Sequence, residues 1–562
     1  MVEAKDRECD GADRDDPGLQ RRLSGGLDVA DTRSPEKHAL VEPAKCPGLI
    51  AANGDKHLLQ QGKEQWTPTT PTDENKKAFS QKRQFLACAA VQTMAVLGGL
   101  AIAHSSSLLP ALSGPDSEVP ITPQQGAWIA SSLVLAVPLG SMLGLLLNDV
   151  LGRLTLIKII ALPQVLGWVL VATAGSLAQI VGARFILGTA LGMSHSFTTL
   201  YISEVADKDI RGGLGALGTA LASLGILLCY TMGAFLDWRT HAWANCCLPV
   251  LPLALLFTLA TESPVWLRER GRDEEAARAS TFFYDDPTKV LSVAKAGADK
   301  KKAKAMGART WRALFTEPRG YKPFVLIQAV FIIQQLVGIY ITIYYAVPLF
   351  METGCTLDPY LASILIGVVR LVGCTSVSWA MRRLGRRPLM LASSAGQAVA
   401  MATSGYATAR ILQGGEVSSM WVVGGILSYI AFGCLGWQVL PWTMMAEVFP
   451  HEVRSLAQFI NAATANVYIF AVLQLYPTMN DALGGAAGVQ YLFAATSALS
   501  AVFVWVMLPE TRGRTLQEIE EYFENNATFL TERRRKRDRR RQRRDEQEQD
   551  ADDATRTPLD PA

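Results

Sequence analysis

Gln328, Gln335 and Thr342 stand seven residues apart inside a stretch, residues 323–351, that carries no charge. That spacing puts them on one face of a helix. Gln334 lies beside them, and Tyr344 and Tyr345 follow two to three turns on. The stretch is long enough to cross a bilayer, which takes roughly 20 apolar residues. A primary amide in hydrocarbon is costly unless it finds a partner, so this face looks inward, at other helices or at a wet cavity. Two chemistries fit: hydrogen bonds between helices, or amides and phenols that bind a polyhydroxylated ligand. Arg370, in ILIGVVRLVGC, falls near the middle of a second apolar stretch. An arginine there costs about 2.5–3.5 kcal/mol on insertion scales. It either lies satisfied along a wet cavity wall or meets an anionic ligand through its planar fork.

Such residues need a membrane-spanning frame. Hydrophobic residues make up 49% of the 562, charged residues 19%, and the net charge is +3; mean hydropathy is +0.17. Most of the charge lies in residues 1–83, 262–322 and 509–562. Twelve apolar spans lie near 85–109, 127–148, 154–176, 181–202, 213–236, 242–260, 323–351, 359–381, 388–408, 418–446, 456–478 and 487–508. The expected fold is all-α, with twelve transmembrane helices in two pseudo-symmetric six-helix bundles. The expected segments are a disordered tail (1–83), a first bundle (84–261), a central segment with short helices (262–322), a second bundle (323–508), and a terminal helix with a basic tail (509–562). Nine cysteines form no CxxC pair, so buried thiols are their default role. The loop 382–387 (RRLGRR), the central segment with fourteen Lys plus Arg, and the C-terminal tail lie on one side. The excess of basic residues there predicts cytoplasmic termini in a multi-pass cell-membrane protein.

The halves repeat. Leu151-Gly152-Arg153 follows span 2 and Leu384-Gly385-Arg386-Arg387 follows span 8; Glu204 precedes Arg211 by seven, and Glu447 precedes Arg454 by seven. Matched motifs mark a duplicated six-span unit. A glycine permits a tight turn between helices, and the charges can pair between helix ends so as to hold one face closed.

These residues, with Trp128 in QQGAWIASS, Arg184 in ARFILG, Tyr201-Ile-Ser-Glu204, GILLCYTMGAFLDWR (225–239), Glu262-Ser-Pro-Val-Trp-Leu, Gln334-Gln335-Leu, Pro441-Trp442 and Pro509-Glu510-Thr511-Arg512-Gly513, make the chain over about 85–525 resemble a sugar porter of the major facilitator superfamily, closest to the arthropod facilitated trehalose transporters. The resemblance implies a central site between two bundles and alternating access by rocking. It assigns sugar contacts to Gln334, Gln335, Trp442, Tyr230 and Asn466; Tyr340, Tyr344 and Arg370 join that set from their positions in spans 7 and 8. It assigns a network of ion pairs to Asp149, Arg153, Glu204, Arg211, Glu262, Arg386, Arg387, Glu447 and Arg454, and leaves Arg184 outside that network, near the opposite face. The implied activity is facilitated uniport of trehalose or a hexose, with no enzymatic step, cofactor, metal or nucleic acid.

The departures from the family pattern cluster at that site. Tyr340 and Arg370 replace asparagines, Gln438-Val439 replaces a flexible Gly-Pro pair, Arg382 replaces an acid, and Thr261 and Val265 replace a Pro and an Arg. They admit two rivals: a carrier of organic anions or sugar acids using Arg370, and a sugar sensor that does not transport. Proton-driven relatives place a carboxylate in span 1; here that span has none, and His104 and His195 read as structural. EEAARA and LQEIEEYF predict helices flanking the second bundle. The run Arg533–Arg544, ten basic residues in twelve, fits either a contact with anionic inner-leaflet lipid or a plain solvated tail. Asn526-Ala-Thr is a glycosylation sequon expected to go unused.

Overall fold

The helix boundaries follow local chemistry. Asp237 accepts from the backbone N–H groups of Arg239 and Thr240 at 3.2 and 3.0 Å. Asp358 does the same for Tyr360 and Leu361, each at 2.9 Å, with Pro359 at the first helical position. Both satisfy backbone donors that a helix start leaves open. Thr515 and Glu518 form a reciprocal capping box that starts the C-terminal helix Leu516–Asn525.

The computed structural model describes residues 71–114, 117–147, 150–284, 307–450 and 452–540, all within one compact unit, Thr69–Ala562. Span 1 comprises Pro71–Gln92 and Met94–Ser113. Span 2 is Pro123–Leu147, span 3 Arg153–Ile159 with Ala161–Ala172, and span 4 Leu177–Val205. Span 5 is Lys208–Phe235 and span 6 Trp238–Cys247 with Val250–Leu259. The connecting segment contributes Pro264–Glu269, Asp273–Tyr284 and Gly307–Thr316. Span 7 is broken into Pro318–Leu336, Ile339–Tyr344 and Ala346–Glu352. Span 8 is Pro359–Arg383 and span 9 Arg386–Leu412. Span 10 is Met420–Leu435 with Leu440–Glu447, span 11 Arg454–Ala482 and span 12 Ala486–Met507.

Among the described residues, ten helices are long and apolar enough to cross a membrane. The other two of the twelve expected are the broken span 7 and span 9, which is 27 residues long but rich in serine and threonine. The exterior is greasy: Phe257, Val399 and Leu499 are 68, 69 and 68% exposed, as faces turned to lipid would be. Span 2 packs along span 4 and span 1 along span 5; span 9 packs along spans 10 and 12. The halves meet where span 5 lies along span 8, span 2 along span 11, and the end of span 1 against span 7.

Three expectations need correction. Helix begins at Pro71, within the stretch read as tail; residues 1–70 lie outside the described part. Span 7 starts at Pro318 rather than Pro323, and it is interrupted. Gly338 sits at φ +90°, a left-handed backbone suited to glycine, and a Cβ there would lie 2.5 Å from the Phe493 ring. The break ends the seven-residue register, so Thr342 bonds the carbonyl of Ile339 (2.8 Å) instead of continuing the glutamine face. The helices expected at EEAARA and LQEIEEYF are present in Asp273–Tyr284 and Leu516–Asn525.

Candidate functional site

The site is built at the meeting of spans 5, 7, 8 and 10. Gln334 is buried and donates its amide to the carbonyl of Trp437, in the break of span 10. Gln335 donates to Gln334 Oε1 at 3.2 Å, and its own Oε1 is buried without a partner. Trp442 is half-buried, edge-on to Phe331 at 5.0 Å, and beside the Tyr340 hydroxyl. Arg370 is 7% exposed and donates through Nη1 to Gln438 Oε1 at 2.8 Å; its Nε is buried without a partner. Tyr230, Tyr340 and Tyr344 surround the guanidinium closely enough to feel its field. The Tyr230 hydroxyl is already committed to the carbonyl of Ile343 (2.7 Å), across the seam between the halves.

Not every expected contact converges. Asn466 donates to the carbonyl of Ala462 in its own helix (2.8 Å), and its side chain makes no other hydrogen bond among the described residues. Gln328 is glue between helices: it bonds Asn461, Thr464 and Tyr468 of span 11 at 3.1, 2.8 and 2.8 Å. Two residues of the span 10 break were not among the expected contacts. Trp437 is fully buried, with its indole N–H on Ser394 Oγ at 2.8 Å. Gln438 entered only as a departure from the pattern. The break itself persists without the Gly-Pro pair, because Gly436 supplies it: a Cβ there would lie 2.5 Å from Ser393 Cβ.

The end that bears the Gly152 and Gly385 turns, here the basic end, is built twice by the same rule. In the first half, Arg153 pairs with Glu204 (3.0 Å), whose other oxygen accepts from Ser263 Oγ (2.6 Å). In the second, Arg386 pairs with Glu447 (2.7 Å), which accepts from Thr511 Oγ1 (2.8 Å). Glu262 caps span 3 through Leu154 N and Thr155 N (3.0 and 3.3 Å); Glu510 caps span 9 through Arg386 N and Arg387 N (3.0 and 3.1 Å). Each carboxylate fills the place a side chain would take on the turn glycine. A Cβ on Gly152 or Gly385 would lie 2.1 Å from the Glu262 or Glu510 oxygen. Ser263, Glu510 and Thr511 were missing from the expected network, yet an acid–hydroxyl pair closes each half in the sequence.

Arg211 and Arg454 do not pair with Glu204 and Glu447. They bond helix-end carbonyls instead: Arg211 to Ser203 and Ala206 (2.9 and 2.8 Å), Arg454 to Phe449 (3.1 Å). A cation at a helix C-terminus is favoured by its exposed carbonyls. Arg387 bonds the carbonyl of Trp505 (2.6 Å) and lies over the Phe529 ring at 3.6 Å. Arg184, fully buried in span 4, donates to the carbonyls of Ile129 and Ala101. Asp149 lies outside the described residues. Among those described, the ion pairs and side-chain hydrogen bonds of the basic end stay within one half. The opposite end is where the halves are bonded: Ser106 Oγ accepts from Val347 N (3.0 Å), Ser105 donates to the Tyr344 carbonyl (3.3 Å), and Ser131 donates to Gln474 (2.9 Å).

Two bundles, a duplicated end and a polar seam between them decide the family once compared with known proteins. The family model described as "Sugar (and other) transporter" matches residues 76–523. The chain belongs to that family. As a member of this transporter family it is a multi-pass membrane protein and not an enzyme. The protein named facilitated trehalose transporter Tret1 in Culex quinquefasciatus is 29% identical over 472 residues, which cover 82% of this chain and 90% of that one. The protein of the same name in Aedes aegypti is 29% identical over 444 residues, 78% of this chain, but the chain spans only 54% of its length. Among solved structures, the proton:xylose symporter XylE bound to 6-bromo-6-deoxy-D-glucose superposes with a TM-score of 0.61 at 23% identity, covering 80% of this chain and all of that one. An inward-open XylE gives 0.63 at 22% identity, covering 78% and 99%. These matches establish the shared fold.

Proposed function

We propose that this sugar-family transporter carries a neutral sugar, trehalose or a hexose, as a facilitative uniporter by alternating access. The observation that carries the reading is the polar seam between the bundles: paired amides Gln334 and Gln335, one with a vacant buried oxygen, beside the Trp442 plate and the Tyr340 hydroxyl. Neutral hydroxyls are recognised by such amides and aromatic faces within a mostly apolar wall. The names of the insect relatives support trehalose as the first sugar to try. The lack of a carboxylate in the apolar part of span 1, residues 85–109, favours transport without proton coupling. The retained break in span 10 favours transport over a sensor that only binds.

The charge asymmetry of the loops supports cytoplasmic termini and a place in the cell membrane. In that orientation the helical residues 529–540 bring the first part of the basic run to the inner leaflet, where anionic lipid would attract it; Arg541–Arg544 lie outside the described residues. The test is uptake of labelled trehalose and of labelled glucose into proteoliposomes, with and without a pH gradient. Saturable sugar flux indifferent to the gradient is the expected result. Flux that follows the gradient would replace uniport by symport, and absence of flux for both sugars would remove the reading.

A further inference from the structure

Arg370 and Gln438 both depart from the family pattern, lie 68 residues apart, and are hydrogen-bonded to each other in the buried seam. Arg370 stands eleven residues after Pro359 and thirteen before Arg383, so helix extends about 16–20 Å to either side. The groups near it are Gln438, the phenols of Tyr230, Tyr340 and Tyr344, and the sulfurs of Cys374 and Cys434. Among the described residues no carboxylate pairs with it, and its Nε is buried and unpartnered.

Arg184 shows what a purely structural buried arginine looks like in this same chain. It is held by backbone carbonyls of two first-half helices that no ligand could displace, although it too leaves one nitrogen, Nη2, buried and unpartnered. Arg370 instead sits between the bundles and rests on one side-chain amide. An amide oxygen is a weak counterpart to a full charge, whereas a carboxylate matches the fork with two parallel hydrogen bonds. Gln438 can also turn, because its amide is a donor as well as an acceptor.

We infer that this seam accepts a sugar bearing a carboxylate, with Arg370 as the counter-charge for the acid and Gln438 as its resting partner. The inference rests on the transport reading above and deepens it: the amides take the hydroxyls, and Arg370 adds a preference for an acidic substituent.

The test is uptake of labelled glucuronate and of labelled glucose by the full chain in proteoliposomes. The expected result is that the natural protein carries both. Arg370→Gln should lower the ratio of glucuronate to glucose uptake by about tenfold or more, the scale of losing one charge-assisted contact, whatever it does to uptake of the neutral sugar. Arg370→Lys, which keeps the charge without the fork, should lie between them. Gln438→Ala removes the resting partner and leaves the charge; it should keep glucuronate uptake or raise it, which gives a second reading should Arg370→Gln not fold. Glucose flux with no glucuronate flux in the natural protein overturns the inference and leaves the transport reading intact. So does an unchanged ratio of glucuronate to glucose flux in Arg370→Gln, or sugar flux that requires chloride, which would make an inorganic ion the counter-charge. Failure to carry either sugar removes the transport reading and the inference together.

Discussion

Two glycines and two glutamates carry the turns of the basic end, and each pair is a single device. Gly152 and Gly385 leave room, and Glu262 and Glu510 use that room to accept the first N–H groups of spans 3 and 9. Gly385→Ala is therefore expected to displace Glu510 and cost about 1–2 kcal/mol, the value of a lost helix cap. Glu510→Gln should cost less, since an amide oxygen still accepts. Thermal unfolding in detergent would rank the two; an unchanged midpoint for Gly385→Ala would mean the carboxylate does not hold the turn. Much at this scale was legible in the sequence, because Gly-Arg and Glu recur at matched distances. The partners of Arg211 and Arg454 were not: the resemblance put both in a network of ion pairs between helix ends, whereas each bonds carbonyls at the end of the preceding helix or turn.

Breaks in spans 7 and 10 are the features of element scale on which the site depends. Hydropathy is blind to both, since a broken span is as greasy as a whole one. Gly338 alone gave no signal that it would sit at φ +90° with its face on Phe493. Gly338→Ala combines a disfavoured backbone with a ring clash and should cost about 2–3 kcal/mol or more. Phe493→Ala should recover part of that loss in the double variant, which a double-mutant cycle of unfolding midpoints would read; strict additivity would deny the contact. The pairing of Arg370 with Gln438 was equally hidden, because it needs the register of span 8 against span 10. One turn away on the same two spans, Cys374 and Cys434 have their sulfurs 3.8 Å apart. Mild oxidation should close them into a disulfide, whose sulfurs lie about 2 Å apart. Because both belong to one half, sugar uptake should survive, with the linked peptides seen by mass spectrometry; a linked protein that no longer transports would show that spans 8 and 10 slide during the cycle.

For the whole molecule, the twelve-span architecture was readable from apolar runs, confined charge and repeated motifs, since a bilayer leaves few ways to bury a backbone. The state of the molecule was not readable, because it depends on which end of the seam is bonded. Here the halves are tied at the end opposite the basic turns, through Ser106 with Val347, Tyr230 with Ile343, and Ser131 with Gln474. A Ser131→Cys/Gln474→Cys variant, once oxidised, should lose sugar uptake and regain it on reduction. Undiminished uptake in the oxidised form would refute rocking of one half against the other at this seam.

The confinement of each ionic network to its own half bears on the thermodynamics of the cycle. Arg153 with Glu204, and Arg386 with Glu447, are already complete while no described ion pair spans the halves at that end. Charges that keep their partners as the halves move contribute equally to both states and cancel from the equilibrium between them. Among the described residues, what remains to set that balance is a few neutral hydrogen bonds and the apolar surface along spans 2, 5, 8 and 11. Such a balance responds weakly to ionic strength and strongly to temperature and lipid.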